Sequence, residues 1–399
     1  MLFLILAGST GVAASAREET MKAVVEGSNG FALDLYARLR EKPGNLFFSP
    51  SSISTALAMT YGGARGETAA QMARVLHFPA DRAALNEGYR ALLEATRPPR
   101  EDAGYRLSVA NRLWGQQGFG FLPDYLALTR DVYGAELAQV DFGGAAEPSR
   151  KQINAWVEEQ TRAKIKDLLP VGVITPLTRL VLTNAIYFKG DWTSPFDRNL
   201  TRDEEFHVTS DKTTKVPMMH KVHDFRVAAV AADGLKLVEL PYGKGDLSTV
   251  VLLPDAIDGL PALETKLSVA AVDGWLASGA RRKVELSLPR FKVESQFSLA
   301  ETLAAMGMPL AFNPKDADFS GMSTEGELHI SAVIHKAYVD LNEEGTEAAA
   351  ATGVAMALRA AARPTPPVIF RADHPFLFVI RDNRTGALLF VGRIVNPAG

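Results

Sequence analysis

A chain of 399 residues with net charge −3, 22% charged and 47% hydrophobic residues has the balance of a soluble globular protein. That near-neutral charge gives no basis for a nucleic-acid or polyanion partner, and no stretch reaches the ~18 uninterrupted apolar residues of a membrane span. Cysteine is absent, which excludes disulfides and thiolate metal sites. Length alone favours two or three domains, yet no Gly/Ser- or Pro-rich linker divides the chain.

Residues 1–16 open with the apolar run from Leu2 to Ala7 and close on Ala14-Ser15-Ala16, the small-x-small pattern of a signal-peptidase site. A basic n-region is missing, the first cation being Arg17. The expectation is an export signal or apolar N-terminal segment, and a secreted or periplasmic protein. Phe31, Leu35 and Leu39 then mark a helix ended by Pro43-Gly44. Helical patterns follow at 51–61, stopped by Gly62-Gly63, and at 67–76 and 82–95. Strand alternation appears at Leu107, Val109, Asn111 and Leu113. A helix is predicted over 148–164, with Ile153, Trp156 and Val157 turned inward. Residues 180–188 are apolar on both faces, as a covered central strand should be.

From Phe206 to Pro254 the pattern is nearly all strand, at 216–219, 225–230, 235–240 and 249–253. Short helices are predicted at 261–267 and 299–306, with a strand at 284–288 between them. Residues 328–341, 368–370, 376–380 and 388–395 complete the strands. Helices dominate the first half and strands the second, which is an α+β distribution.

The chemistry of an enzyme is missing. There is no G-x-S-x-G, H-E-x-x-H, P-loop or G-x-G-x-x-G motif, and Gly118-Phe119-Gly120 lacks the third glycine. His220 and His223 fall on a predicted strand and its turn, facing opposite sides, which argues against a metal pair. Asn199-Leu200-Thr201 and Asn383-Arg384-Thr385 are formal glycosylation sequons. Arg82, Arg90, Arg97 and Arg100 alternate with Asp81, Glu87, Glu94, Glu101 and Asp102, a mixed solvated face that does not suit a glycosaminoglycan. No catalytic set, cofactor site or metal site is expected.

One stretch has no ordinary explanation. After the alternating residues 328–341 come Asn342-Glu343-Glu344-Gly345-Thr346-Glu347 and then Ala348, Ala349, Ala350 and Ala351. With period two, one face carries Thr346, Ala348, Ala350, Thr352, Val354, Met356 and Leu358, and neither face bears a charge between Glu347 and Arg359. The pattern predicts a segment exposed in the resting protein that can later enter a sheet as a central strand.

These residues resemble the hinge of the serpin family. Asn45-Leu46-Phe47-Phe48-Ser49-Pro50-Ser51-Ser52-Ile53 resembles its opening strand and helix. Thr183-Asn184-Ala185-Ile186-Tyr187-Phe188-Lys189-Gly190-Asp191-Trp192 is similar to its third central strand, and His374-Pro375-Phe376-Leu377-Phe378 with Phe390-Val391-Gly392-Arg393-Ile394-Val395-Asn396-Pro397 to its C-terminal hairpin. Four motifs in the family's order make the signal specific. The resemblance implies one serpin domain over 17–399, with helices around three β-sheets and a reactive-centre loop at about 345–367.

It implies, further, a monomeric suicide inhibitor that a serine protease attacks as substrate and that traps the acyl-enzyme by loop insertion. Its hinge is Glu344 to Ala351, its shutter Ser49, Ser52, Asn184 and His335, and its breach Trp192. Counting from Gly345 by the family's hinge length puts the reactive bond at Arg359–Ala360, suited to a trypsin-like pocket. Arg363 precedes Pro364, which blocks the usual cleavage geometry. Leu358–Arg359 or Met356–Ala357 would suit chymotrypsin- or elastase-like enzymes, and subtilisin-like targets stay open. Two other readings are a non-inhibitory carrier or chaperone, disfavoured by Thr346 and the four alanines, and a hydrolase, disfavoured by the absent motifs. An inserted strand from Thr346 to Arg359 would span about 45 Å.

Overall fold

A computed structural model describes residues 6–97, 103–326, 328–346 and 366–399. Its helices are α1 (Leu6–Leu39), α2 (Pro50–Gly63), α3 (Gly66–Leu76), α4 (Arg82–Thr96) and α5 (Pro123–Tyr133). They continue with α6 (Ala146–Gln160), α7 (Leu260–Glu264), α8 (Val269–Ala277) and α9 (Ala300–Met306). The strands are β1 (Leu46–Phe48), β2 (Tyr105–Gln116), β3 (Ala138–Val140), β4 (Leu180–Asp191) and β5 (Arg202–Thr209). Next come β6 (Lys212–Val230), β7 (Leu235–Tyr242), β8 (Leu247–Pro254), β9 (Ala280–Pro289) and β10 (Phe291–Ser298). The last are β11 (Ile330–Leu341), β12 (Gly345–Thr346), β13 (Val368–Arg371), β14 (Phe376–Asp382) and β15 (Leu388–Ile394).

Where three sheets were expected the described strands make two, a nine-stranded one, continuous because the long β6 pairs with β5, β7 and β9, and a six-stranded one in the order β10-β11-β12-β4-β2-β3. The main core joins both sheets to α1–α4, with Phe47 stacked on Phe378 and Phe390. A second apolar cluster covers the opposite face of the six-stranded sheet, where Ile153 and Val157 of α6 meet Trp114, Val181, Ala185 and Ile334. β4 is therefore covered from both sides, which explains why its sequence does not alternate. The chain after α6 crosses the same face, held by Lys336 Nζ donating to the Lys166 carbonyl (3.0 Å) and Gln296 Nε2 to that of Leu168 (2.9 Å).

Several elements differ from the sequence reading. α1 runs from Leu6, not Phe31, because Gly27 and Gly30 are points of close packing: a Cβ on Gly27 would lie 2.4 Å from the His77 carbonyl oxygen. Residues 216–219 and 225–230 belong to one continuous strand, β6, so His223 lies on a strand and not in a turn. α5 and α8 were not anticipated, although Pro123 in the first turn and left-handed Gly134 at the end are ordinary boundary signals. β13 pairs with β9, and Arg371 is fixed by Glu204 (2.6 Å) and Asp373 (2.8 Å).

Candidate functional site: a seam between two parallel strands

β4 and β11 run parallel, starting at Leu180↔Ile330, passing a one-residue bulge, and then in register from Val181↔Ala332 to Tyr187↔Tyr338. Beyond Tyr187 and Tyr338 they part, and β12 enters the fork antiparallel to both, Gly345 opposite Asp191 and Thr346 opposite both Gly190 and Leu341. The hinge was expected to be exposed. Its first residues are instead inside the sheet, Thr346 fully buried.

Close packing and specific bonds explain the docking. A Cβ on Gly345 would lie 2.0 Å from the Gly190 carbonyl oxygen, so only glycine lets the chain approach β4 this closely. The Thr346 hydroxyl lies 2.7 Å from the Tyr242 hydroxyl, which is also 2.7 Å from that of Thr249. Burial pushes the Tyr242 phenol well above its ordinary pKa, so it stays neutral. Trp192 stacks flat on Tyr242 at 4.4 Å, its indole N–H donating to the Asn342 carbonyl (2.9 Å) and its backbone N–H to that of Glu344 (2.8 Å).

The two carboxylates where the hinge begins, Glu343 just before it and Glu344 its first residue, are tied as well. Buried Glu343 accepts from the Thr201 hydroxyl (2.8 Å) and sits 3.8 Å from Arg290. Glu344 is ion-paired with Arg198. Trp192, Glu344, Gly345 and Thr346, singled out by sequence, thus converge at the fork. Glu347, Ala348, Ala349, Ala350, Ala351, Arg359 and Ala360 lie outside the described residues.

Lower in the seam, where β4 and β11 are still paired, a polar row crosses the sheet. Asn111 of β2 is opposite Asn184 of β4, Asn184 opposite His335 of β11, and His335 opposite Phe297 of β10. The Ser49 backbone N–H donates to His335 Nε2 (3.1 Å), so Nδ1 carries the proton and bonds to Asn184 Oδ1. Asn184 Nδ2 donates to Ser52 Oγ (2.8 Å) and to Asn111 Oδ1 (2.7 Å). The hydroxyl of Ser49 is engaged elsewhere, with the Leu389 carbonyl (2.7 Å). Complete burial lowers the His335 pKa to about 3, only partly offset by its bond to Asn184.

The four residues expected in this cluster do meet, and two residues were missed, Asn111 in this row and Tyr242 at the fork. Asn111 had a signal, being a polar side chain within an apolar alternation. Tyr242, at the end of β7, had none. His220 and His223 share β6 but make no metal site: His220 contacts Ser287 (3.1 Å) and Glu204 (3.0 Å). Among the described residues no group of His, Asp and Glu is arranged to hold a metal ion.

A sheet with a fork between parallel strands, a hinge strand in the fork and a polar row beneath it defines a class, and the comparisons agree. Residues 26–397 match the family model for serpin, serine protease inhibitor, and the chain belongs to the serpin family. It is 45% identical to a leukocyte elastase inhibitor of Bos taurus, over 92% of this chain and 97% of that one. It is 42% identical to serpin B6 of Macaca fascicularis, over 94% and 100% of the two chains. Among solved structures, Serpin48 of Tenebrio molitor superposes with a TM-score of 0.83 at 34% identity, covering 94% of this chain and 98% of that one.

The expectation of a secreted or periplasmic protein is overturned. Relatives of the leukocyte elastase inhibitor and serpin B6 kind do not support secretion.

Proposed function

We propose that this serpin inhibits serine proteases as a suicide substrate, with Arg359–Ala360 as the reactive bond and trypsin-like enzymes as targets. The observation that carries the reading is the fork. β11 and β4 are parallel neighbours with β12 antiparallel to both, so each further hinge residue that enters exchanges one parallel pairing for two antiparallel ones. Antiparallel pairing is slightly more stable per residue, and each net ladder bond contributes about 0.5–1.5 kcal/mol. A cleaved loop therefore has a downhill path into the seam, drawing an attached protease with it.

Incubation with trypsin followed by a denaturing gel tests this. A detergent-stable complex is expected, together with a released peptide that begins at Ala360. Arg359→Ala should abolish the complex while leaving the fold intact. Cleavage at Arg359 with no complex would end the inhibitor reading. A second reading is favoured by the leukocyte elastase inhibitor among the relatives: attack after Met356 or Leu358 by an elastase- or chymotrypsin-like enzyme. A stable complex with elastase or chymotrypsin, and a released peptide starting at Ala357 or Arg359, would select it.

A further inference from the structure

We infer that Tyr242 is a positioning residue for inhibition: its hydroxyl holds the uncleaved hinge docked at Thr346, as the nucleus from which insertion proceeds. The inference rests on the proposed function and goes beyond it by assigning the starting point of insertion to one side chain on a different sheet.

Three observations support it. Tyr242 ends β7 of the nine-stranded sheet, whereas Thr346 lies in the six-stranded sheet, so their 2.7 Å contact joins the two sheets at the mouth of the seam. The ring is fixed by Trp192 stacked against it and by Phe188 edge-on at 5.0 Å, so the hydroxyl has little freedom to follow a departing hinge. Both hydroxyls are buried, and each would lose a partner on undocking, Tyr242 keeping only Thr249. Bringing a free segment to a closed seam requires loop closure before any pairing rewards it. A hinge already paired through Gly345 and Thr346 has passed that stage and grows residue by residue.

The variant that isolates the bond is Thr346→Val, which keeps the strand-forming shape, and Tyr242→Phe removes it from the other side, keeping the ring but also releasing Thr249. The first readout needs no inhibitory activity. It is the rate at which a glutamyl endopeptidase cuts the Glu344–Gly345 bond, shielded while Gly345 is paired. The second is the number of molecules consumed per trypsin trapped.

Each single variant should raise both by about fivefold, the factor of one net hydrogen bond. The double variant should go no further, because both changes remove the same bond, and Thr346→Ser should behave as wild type. General loosening of the fold would instead give additive effects, which would overturn the proposal. So would unchanged nicking, or faster nicking with unchanged trapping. If wild type traps no protease at all, the proposed function fails, and the nicking comparison still decides whether Tyr242 holds the hinge.

Discussion

The top and the middle of one seam are built from opposite materials. At the top, β4 and β11 have already separated, and what fills the gap is backbone: glycine against carbonyl, Trp192 and Phe196 amides on the carbonyls of Glu344 and Glu343. In the middle the strands are still paired and stitched by side chains, Asn111 to Asn184 to His335. Backbone pairing can be extended by any residue that follows in register. Side-chain stitching has to be undone first, and a buried polar group left without a partner costs about 1–3 kcal/mol. Under the proposed function the top would admit a strand, and the middle would refuse one until the gain from above exceeds the loss.

The largest expected effect breaks the top. Thr346→Arg sets a charge where Thr346 is fully buried, and burying an unpaired charge costs several kcal/mol even after relaxation. Because the hinge rests inside the sheet, the change acts on the uncleaved protein as well as on insertion: β12 should be expelled. Titration against trypsin should show consumption per trapped enzyme raised by at least about tenfold, the chain being cut as a substrate. Trapping at wild-type stoichiometry would mean that docking and insertion are unrelated.

Breaking the middle should matter less for trapping and more for the resting fold. His335→Ala leaves the Ser49 amide and the Asn184 carbonyl oxygen without their partner, a loss of about 1–3 kcal/mol. A lower melting temperature and loop–sheet polymers on mild heating are expected, checked by calorimetry and native gels. Unchanged melting would remove the polar row from the account of what keeps the seam closed.

Acid sharpens the same contrast with a smaller effect. His335 has a folded pKa of about 3, against ~6.5 in an unfolded chain. Between those values the unfolded state holds a proton that the folded state does not. Stability is therefore present above about pH 6.5 and lost as pH falls toward 3, by up to about 1.4 kcal/mol per pH unit from this group. Denaturant unfolding at pH 7 and pH 5 should show the loss, and His335→Gln should flatten it. An equally steep slope in that variant would assign the acid sensitivity to other groups.

Much of the site was legible in the chain. Thr346 to Leu358 reads as a strand in waiting through its period-two pattern, of which only Thr346 falls within the described residues, and residues 180–188 as a covered strand through their missing alternation. The resemblance then joined Asn184 to His335 across 151 positions. What could not be read was the resting place of the hinge. A threonine tolerates solvent and sheet alike, and on the inference above the choice for Thr346 rests with Tyr242 and Gly190, whose positions depend on how two sheets meet. α1 failed for a related reason: Gly27 and Gly30 mark where α1 touches His77, a contact with no local signature. The export reading rested on a weak pattern, an apolar stretch ending in small residues with no basic n-region, and it is the relatives that overturn it.

β13 stays joined to β9, with Arg371 clasped by Glu204 and Asp373, while under the proposed mechanism the hinge end travels down the seam. The two chain termini created at the reactive bond would then part by about 45 Å, the length of the inserted strand. On that proposal no reverse reaction would rejoin ends that distant, so the step would behave as a ratchet and each molecule would fire once. Regulation would then be titration, not equilibrium: the protease removed would be set by how many intact copies remain.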